Sequence, residues 1–318
     1  MPTSGTDGAV PPSGDGVTVG FVGLGLMGWP MAANVARAGF PLFVHNRTSE
    51  RAEAFATAMD GVTVCATPAE VAAAADVVLT MLADEAAVDG VYLGVDGLLA
   101  TARPGTVLVE MSTIGPDQLL RLAERVRAAG IELIDAPVSG SVATATSATL
   151  RVMAGGSDPA IARVRPILEA LGPVSHVGPS GSGATMKLAV NTVVYGLNQS
   201  ISEALVLAER AGLDRLRTYE VFVNSAISAP FVHYRRAAFE RPGEVPVAFR
   251  AELASRDLRL ILGLGDAVGA DLRQARANLA VLDEAVEAGF GDADVSAVAS
   301  YLRGSVPAPP AGIPERGG

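Results

Sequence analysis

Residues 17 to 45 carry the pattern that most restricts how this chain can fold. Val17-Thr-Val-Gly-Phe-Val22 is a short β-branched run that ends in Gly23-Leu24-Gly25-Leu26-Met27-Gly28. A helical pattern follows from about Met27 to Ala38 and stops at Gly39, and Phe40-Pro-Leu-Phe-Val-His45 then reads as a second buried strand. This is a βαβ unit, which demands a parallel sheet and a right-handed crossover. The GxGxxG at its first turn is a dinucleotide fingerprint. Gly23 permits the tight turn, Gly25 lets a pyrophosphate reach the backbone, and Gly28 lets the helix pack close to the strand. In a chain with 35 glycines the motif alone is weak; its place between strand and helix gives it weight.

The end of the second strand bears on the cofactor. An NAD site usually has Asp or Glu about 20 residues beyond the glycines, to hold the ribose 2′-hydroxyl. Here the residues are Asn46-Arg47-Thr48. A guanidinium flanked by amide and hydroxyl donors suits a 2′-phosphate. NADP is therefore preferred, and Glu50 nearby keeps NAD as the second choice.

Strands and helices go on alternating. Val62-Thr-Val64, Asp76 to Leu82, Val107 to Met111, Ile131 to Asp135 and Leu150 to Ala154 read as strands, and Pro68 to Ala75 and Pro116 to Ala129 as helices. Apolar runs of this kind belong to a sheet covered on both faces. The expected class is α/β, a Rossmann-type doubly wound sheet whose ligands lie at the carboxyl ends of the strands. Leu82-Ala-Asp84, Ser112-Thr113 and Ala136-Pro-Val-Ser139-Gly140-Ser141 fall at such ends. From Gly181 onward no strand is evident. The expected division is a nucleotide-binding domain over 17–179 and an all-helical domain over 180–304, joined by a long helix.

That helix contains Gly181-Ser-Gly-Ala-Thr-Met-Lys187-Leu-Ala-Val-Asn191. Met186, Val190, Val193, Val194, Leu197, Ile201 and Leu205 recur at helical spacing, predicting a buried face. Lys187 and Asn191, four apart, share one face within this apolar pattern. A lysine there either snorkels to solvent from the start of the helix or is kept because something uses it.

Basic minus acidic residues is 24 − 34 = −10, with no Lys/Arg cluster, which argues against nucleic acid or an anionic membrane surface as partner. One cysteine, Cys65, excludes a disulfide framework and fits a reducing compartment. Histidines at 45, 176 and 233 make no metal cluster. Residues 1–16 lack the basic start and apolar centre of a signal peptide, so the expected location is the cytoplasm. They and residues 305–318, rich in Gly and Pro, read as disordered tails.

Gly23-Leu-Gly-Leu-Met-Gly28, Asn46-Arg-Thr48, Ser112-Thr-Ile114, Asp135-Ala-Pro-Val-Ser-Gly140 and the Gly181–Asn191 segment stand in an order that resembles the β-hydroxyacid dehydrogenase family. The resemblance covers about residues 17 to 303 and is specific for the family, not for one substrate. It implies that Lys187 is the catalytic group and that Asn191 orients the substrate. It implies that Ser139 and Gly140, with Ser141 beside them, bind the substrate carboxylate, and that Thr113 lies beside the nicotinamide; Leu82, at the neighbouring strand end, is a further expected cofactor contact. Two departures stand out. Ser141-Val-Ala-Thr-Ala-Thr-Ser-Ala-Thr149 lacks glycines the family commonly has there, implying a stiffer loop. Arg256-Asp257-Leu258 replaces the family's Lys-Asp-Leu, so the cofactor contact falls to Arg256, which keeps the charge without the compact donor.

The implied reaction is reversible hydride transfer between NADP(H) and a small β-hydroxy acid or its semialdehyde, with Lys187 moving the proton. A free lysine titrates near about 10.4; desolvation would lower that value for a base, whereas an ammonium acid needs no shift. An imine or ketone reductase, and a non-enzymatic cofactor-binding protein, stand as alternatives on the same scaffold. The apolar surface of the long helix suggests a homodimer or larger assembly. Trp29 has no role that the sequence explains.

Overall fold

The structure, a computed structural model, describes residues 16–305 of the 318-residue chain. Apart from Gly16 and Ser305, the tails expected at the two ends lie outside the described residues. The chain parts into two compact units between Thr185 and Met186, within the long helix and six residues beyond the division expected from sequence.

The first unit is built on nine strands: β1 (Val19–Val22), β2 (Leu42–His45), β3 (Val62–Val64), β4 (Val77–Thr80), β5 (Val107–Glu110), β6 (Glu132–Asp135), β7 (Val138–Ser139), β8 (Arg151–Gly155) and β9 (Val174–Gly178). They form one sheet in the order β3-β2-β1-β4-β5-β6-β8-β7, with β9 also on β8. The six strands from β3 to β6 are parallel. Helices α1 (Gly28–Arg37), α2 (Ser49–Ala58), α3 (Pro68–Ala74), α4 (Glu85–Leu93), α5 (Pro116–Ala128), α6 (Val142–Thr146) and α7 (Asp158–Glu169) intervene. This is the doubly wound α/β architecture the alternation predicts. One apolar layer gathers Phe21, Met31, Leu79, Val109 and Ile134. A second gathers Val22, Val78, Tyr92, Leu108 and Leu119. Alternate residues of the central strands thus enter opposite layers, which is why these strands read as continuous apolar runs.

The register ends in a level row: Val22 pairs with Thr80, Thr80 with Glu110, and Glu110 with Asp135. Three of these four residues are polar, and all three are at most 1% exposed.

Beyond β6 the sheet departs from expectation. Strand β8 is antiparallel to β6 and β7, whereas β9 is parallel to β8. Neither β7 nor β9 is evident from the sequence. The first is two residues long behind Pro137, and the second is mostly half-exposed and so lacks a buried apolar run.

The helix α8 (Ser182–Arg210) runs through the boundary between the units. The second unit continues with α9 (Arg215–Val223), α10 (Pro230–Tyr234), α11 (Arg236–Glu240), α12 (Ala251–Val268), α13 (Arg273–Ala285) and α14 (Val298–Arg303). Its described residues hold no strand, only an isolated bridge between Arg250 and Asp294. One core gathers Leu188, Tyr195, Leu258, Ile261 and Leu282, and another Ile201, Leu205, Tyr219, Phe231 and Phe239. The apolar face predicted for α8 is only partly buried. Ile201 and Leu205 are enclosed, whereas Met186 and Val193 are 40% and 64% exposed. Among the described residues no helix is long and apolar enough to cross a membrane.

The segment between α6 and β8 holds the one non-glycine residue with positive φ among the described residues, Ala148 at 55°. A Cβ in this conformation is strained. Ala148→Gly should raise stability by about 1 kcal/mol, less the entropy glycine adds to the unfolded chain. Urea unfolding would measure it, and a midpoint lowered by the full entropic cost of glycine would contradict the strain.

Candidate active site

The glycine turn is set by contact. A Cβ on Gly28 would lie 1.9 Å from the Gly23 carbonyl oxygen, and one on Gly23 would lie 2.3 Å from that of Met81. Gly25 has no protein atom within 4 Å of where its Cβ would be, and no side chain caps the start of α1. The loop therefore presents bare backbone and a helix N-terminus, which fits a pyrophosphate.

Asn46 accepts the Leu24 N–H at Oδ1 (2.9 Å) and donates from Nδ2 to the Thr48 carbonyl (3.0 Å). It thereby ties the glycine loop to the end of β2 and leaves Arg47 and Thr48 exposed beside it. Arg51, in the first turn of α2, adds a second tie by donating from Nε to the Leu24 carbonyl. Its guanidinium lies 5.5 Å over Trp29, which meets Phe55 edge-on at 5.0 Å. Trp29 thus joins α1 to α2. The sequence reading overlooks Arg51, although it stands four residues from Arg47 at a helix start.

At the ends of β4 and β5 the Leu82 N–H donates to Ser112 Oγ (2.7 Å), and the Ser112 N–H to Glu110 Oε1 (2.6 Å). Thr80 donates its hydroxyl to Glu110 Oε2 (2.7 Å), and Tyr92 Oη is 2.9 Å from Thr80 Oγ1. Burial raises the Glu110 carboxyl above its ordinary range, against the lowering effect of these donors. In sequence Glu110 is one residue of a strand; its signal is a carboxylate inside an otherwise apolar run. Thr113 follows, half-buried.

At the end of β7, Ser139 is half-buried and Gly140 exposed. Ser141 is the N-cap of α6: its Oγ accepts the Thr144 N–H, and Thr144 Oγ1 accepts the Ser141 N–H at 2.7 Å. The glycine-poor loop thus closes into a capped helical turn.

Asp135, the first residue of the Asp-Ala-Pro-Val-Ser-Gly segment, was given no role by the sequence. Its Oδ1 accepts the Gly181 N–H and its Oδ2 the Ala184 N–H, both at 2.8 Å. It therefore holds the start of α8, and a carboxylate is favoured at a helix N-terminus. A Cβ on Gly183 would lie 2.6 Å from the Asp135 carbonyl oxygen, and one on Gly155 would lie 2.7 Å from Oδ1. Close packing around this carboxylate explains Gly183, whereas Gly181 is held at a positive φ of 91°.

In the second unit Lys187, Asn191 and Tyr195 follow at four-residue spacing on α8. Asp257, buried on α12, collects Asn191 Nδ2 (3.1 Å) and Tyr195 Oη (2.7 Å) on Oδ2, and Arg256 Nη2 (2.9 Å) on Oδ1. Lys187 is half-buried. Desolvation lowers its pKa, and the Asp257 carboxylate opposes that shift. Burial raises the Tyr195 phenol well above its ordinary value, so it remains a donor to Asp257. In sequence Asp257 is only the middle residue of Arg256-Asp257-Leu258, and its task emerges from these contacts.

Residues 18–178 match the model for the NAD binding domain of 6-phosphogluconate dehydrogenase. Residues 181–302 match that for the NAD-binding domain of NADP-dependent 3-hydroxyisobutyrate dehydrogenase. The 2-(hydroxymethyl)glutarate dehydrogenase of Eubacterium barkeri is 32% identical, over 89% of this chain and 93% of that protein. The chain belongs to the β-hydroxyacid dehydrogenase family. Other similar proteins are the 2-hydroxy-3-oxopropionate reductase of Escherichia coli K12, 35% identical over 80% of this chain and 86% of that one, and a solved 3-hydroxyisobutyrate dehydrogenase of Mycobacterium tuberculosis with L-serine. The latter is 32% identical, with TM-score 0.77 over 90% of this chain and 99% of that one. In this β-hydroxyacid dehydrogenase family member the cofactor is a pyridine nucleotide, and the bare glycine loop above fits its pyrophosphate.

The Asp135 carboxyl, raised by burial to about 6, yields a pH prediction. Its unfolded value is near 3.9, so between about pH 4 and 6 the folded state holds a proton that the unfolded state has lost. Stability from this site therefore falls as pH rises through that window. The stability difference between wild type and Asp135→Asn, measured by urea unfolding, should shrink from pH 4 to pH 6. A difference that widens would contradict the assignment.

Proposed function

We propose that this protein is an NADP(H)-dependent dehydrogenase that interconverts a small β-hydroxy acid and its semialdehyde, with Lys187 as the general acid and base. The observation that carries this reading is the cluster on α8 and α12: a desolvated lysine on the same helical face as Asn191 and Tyr195, gathered near one buried carboxylate. NADPH, when bound, supplies the hydride for carbonyl reduction.

In this reading the glycine loop, with Leu24, Leu26 and Met27, holds the pyrophosphate. Arg47 and Thr48 hold the 2′-phosphate, with Asn46 fixing the loop beside them. Leu82 and Thr113 flank the nicotinamide, and Arg256 supports the cofactor. Ser139, Gly140 and Ser141 take the substrate carboxylate, and Asn191 orients the substrate oxygen. Lys187 gives a proton to the carbonyl oxygen during reduction and takes the hydroxyl proton during oxidation. Stabilising a developing alkoxide with an ammonium requires no pKa shift, whereas the lowered pKa of Lys187 makes the neutral amine accessible for oxidation. Asp257 keeps that shift within bounds. The exposed apolar residues Met186, Val193 and Leu207 on α8 support a homodimer or larger assembly, and the proposed location is the cytoplasm.

Turnover of a semialdehyde panel with NADPH and with NADH tests the reading. NADPH should be preferred, and Arg47→Ala should raise its KM by about 10-fold while sparing NADH. Lys187→Ala should lower kcat by about 100-fold or more. Near-normal turnover by that variant, or reduction of cyclic imines but no semialdehyde, would overturn the assignment.

The sign at Asp257 gives another expectation. Its negative charge favours the ammonium, so Asp257→Asn should lower the Lys187 pKa further. The alkaline limb of the reduction pH profile should move to lower pH, and a limb that stays or rises would contradict the coupling.

A further inference from the structure

Glu110 lies outside the proposed proton transfer, yet it is 1% exposed and sits where two candidate nicotinamide segments leave the sheet. Its two carboxyl oxygens are divided between strands. Oε1 takes the Ser112 N–H just beyond β5, and Oε2 takes the Thr80 hydroxyl at the end of β4. Ser112 in turn takes the Leu82 N–H on its Oγ at 2.7 Å. The chain of bonds runs from Thr80 through Glu110 and Ser112 to Leu82 and so closes a loop across the ends of β4 and β5. Tyr92 from α4 seals the buried side, 2.9 Å from Thr80 Oγ1. Thr80 also reaches the Val109 carbonyl at 3.3 Å. A desolvated network of this kind is stiff when every member is satisfied and costly when one is not.

We propose that Glu110 is a positioning residue: it sets the separation and orientation of Leu82 and Thr113, and thereby the seat of the nicotinamide ring. The inference rests on the pyridine-nucleotide site assigned above. It deepens that site by adding a residue that touches neither cofactor nor substrate. Hydride transfer is sensitive to displacements of the order of 1 Å, so loosening these two segments should cost rate and nicotinamide affinity while leaving the adenosine half untouched.

The test compares Glu110→Met, which keeps length but removes both acceptors, with Glu110→Gln. The amide still accepts from Ser112 and, by donating to Thr80, lets that hydroxyl turn to the Val109 carbonyl. Binding of NADPH and of adenosine 2′,5′-bisphosphate, which lacks the nicotinamide, is measured by calorimetry beside steady-state turnover. The methionine variant should lose about 10-fold in kcat and in NADPH affinity, keep its affinity for the bisphosphate within about twofold, and be rescued largely by glutamine. Should it fail to fold, Glu110→Asp, which withdraws the carboxylate by one methylene, supplies the same comparison. Equal loss of both ligands would indicate a merely structural role and overturn the proposal, as would unchanged turnover. If the wild type binds NADPH but reduces no semialdehyde, the proposed reaction fails, while the two-ligand comparison still decides the role of Glu110. If NADH binds better than NADPH, NADH and ADP-ribose take their places.

Discussion

The grip of the Asp135 carboxylate on the first turn of α8 is the interaction on which much else depends. Two backbone N–H groups, from Gly181 and Ala184, would otherwise be buried orphans at a helix start. The carboxylate satisfies both, and it does so at the level where the parallel strands end. Gly155 and Gly183 are small because larger residues would collide with that arrangement. The helix so anchored carries Lys187 little more than a turn further on. A segment that looks like a chemical motif is therefore in part a packing motif, with Gly183 fixed by its contacts around the carboxylate and the lysine proposed for the proton transfer following on the same helix.

A similar division runs through the nucleotide loop. Asn46 is set among the cofactor residues by its place after the second strand, yet its amide is occupied in fastening the glycine loop through Leu24. Arg51 fastens the same loop from the other side. Such ties leave Arg47 and Thr48 as the outward-facing donors. The charge proposed to recognise a phosphate and the amide that holds the loop beside it are neighbours in sequence but differ in task.

Much of the fold was legible because the signals were local. The β1–α1–β2 unit, the apolar strands β4 and β5, and the long helix after Gly181 each carry their own periodicity or breakers. The two-residue strand β7, the half-exposed strand β9 and the antiparallel entry of β8 were not legible, since direction and edge pairing are set by partners far along the chain. At the site, Lys187, Asn191 and the glycines stood out as residue types that contradict their surroundings. Glu110 and Asp257 contradict theirs as strongly, but their meaning lies in which hydrogen bonds they gather, and that depends on contacts 30 and 66 residues away. Met186 and Val193 on the α8 stripe are exposed for a related reason: spacing defines a face, but only neighbouring helices decide how much of it is covered.

The level row of Thr80, Glu110 and Asp135 has a consequence for how the sheet finds its alignment. A sheet covered on both faces by apolar helices lacks the inside–outside alternation that normally tells one strand where to sit against the next. Sliding β5 by one residue would exchange Val109 for Glu110 and thrust a carboxylate into the opposite apolar layer, away from Thr80 and Ser112. The loss would be an unpaired polar group in a dry interior, a penalty of several kcal/mol. Correct pairing of strands that are otherwise interchangeable Val and Leu runs is thus enforced by the few residues that cannot tolerate any other.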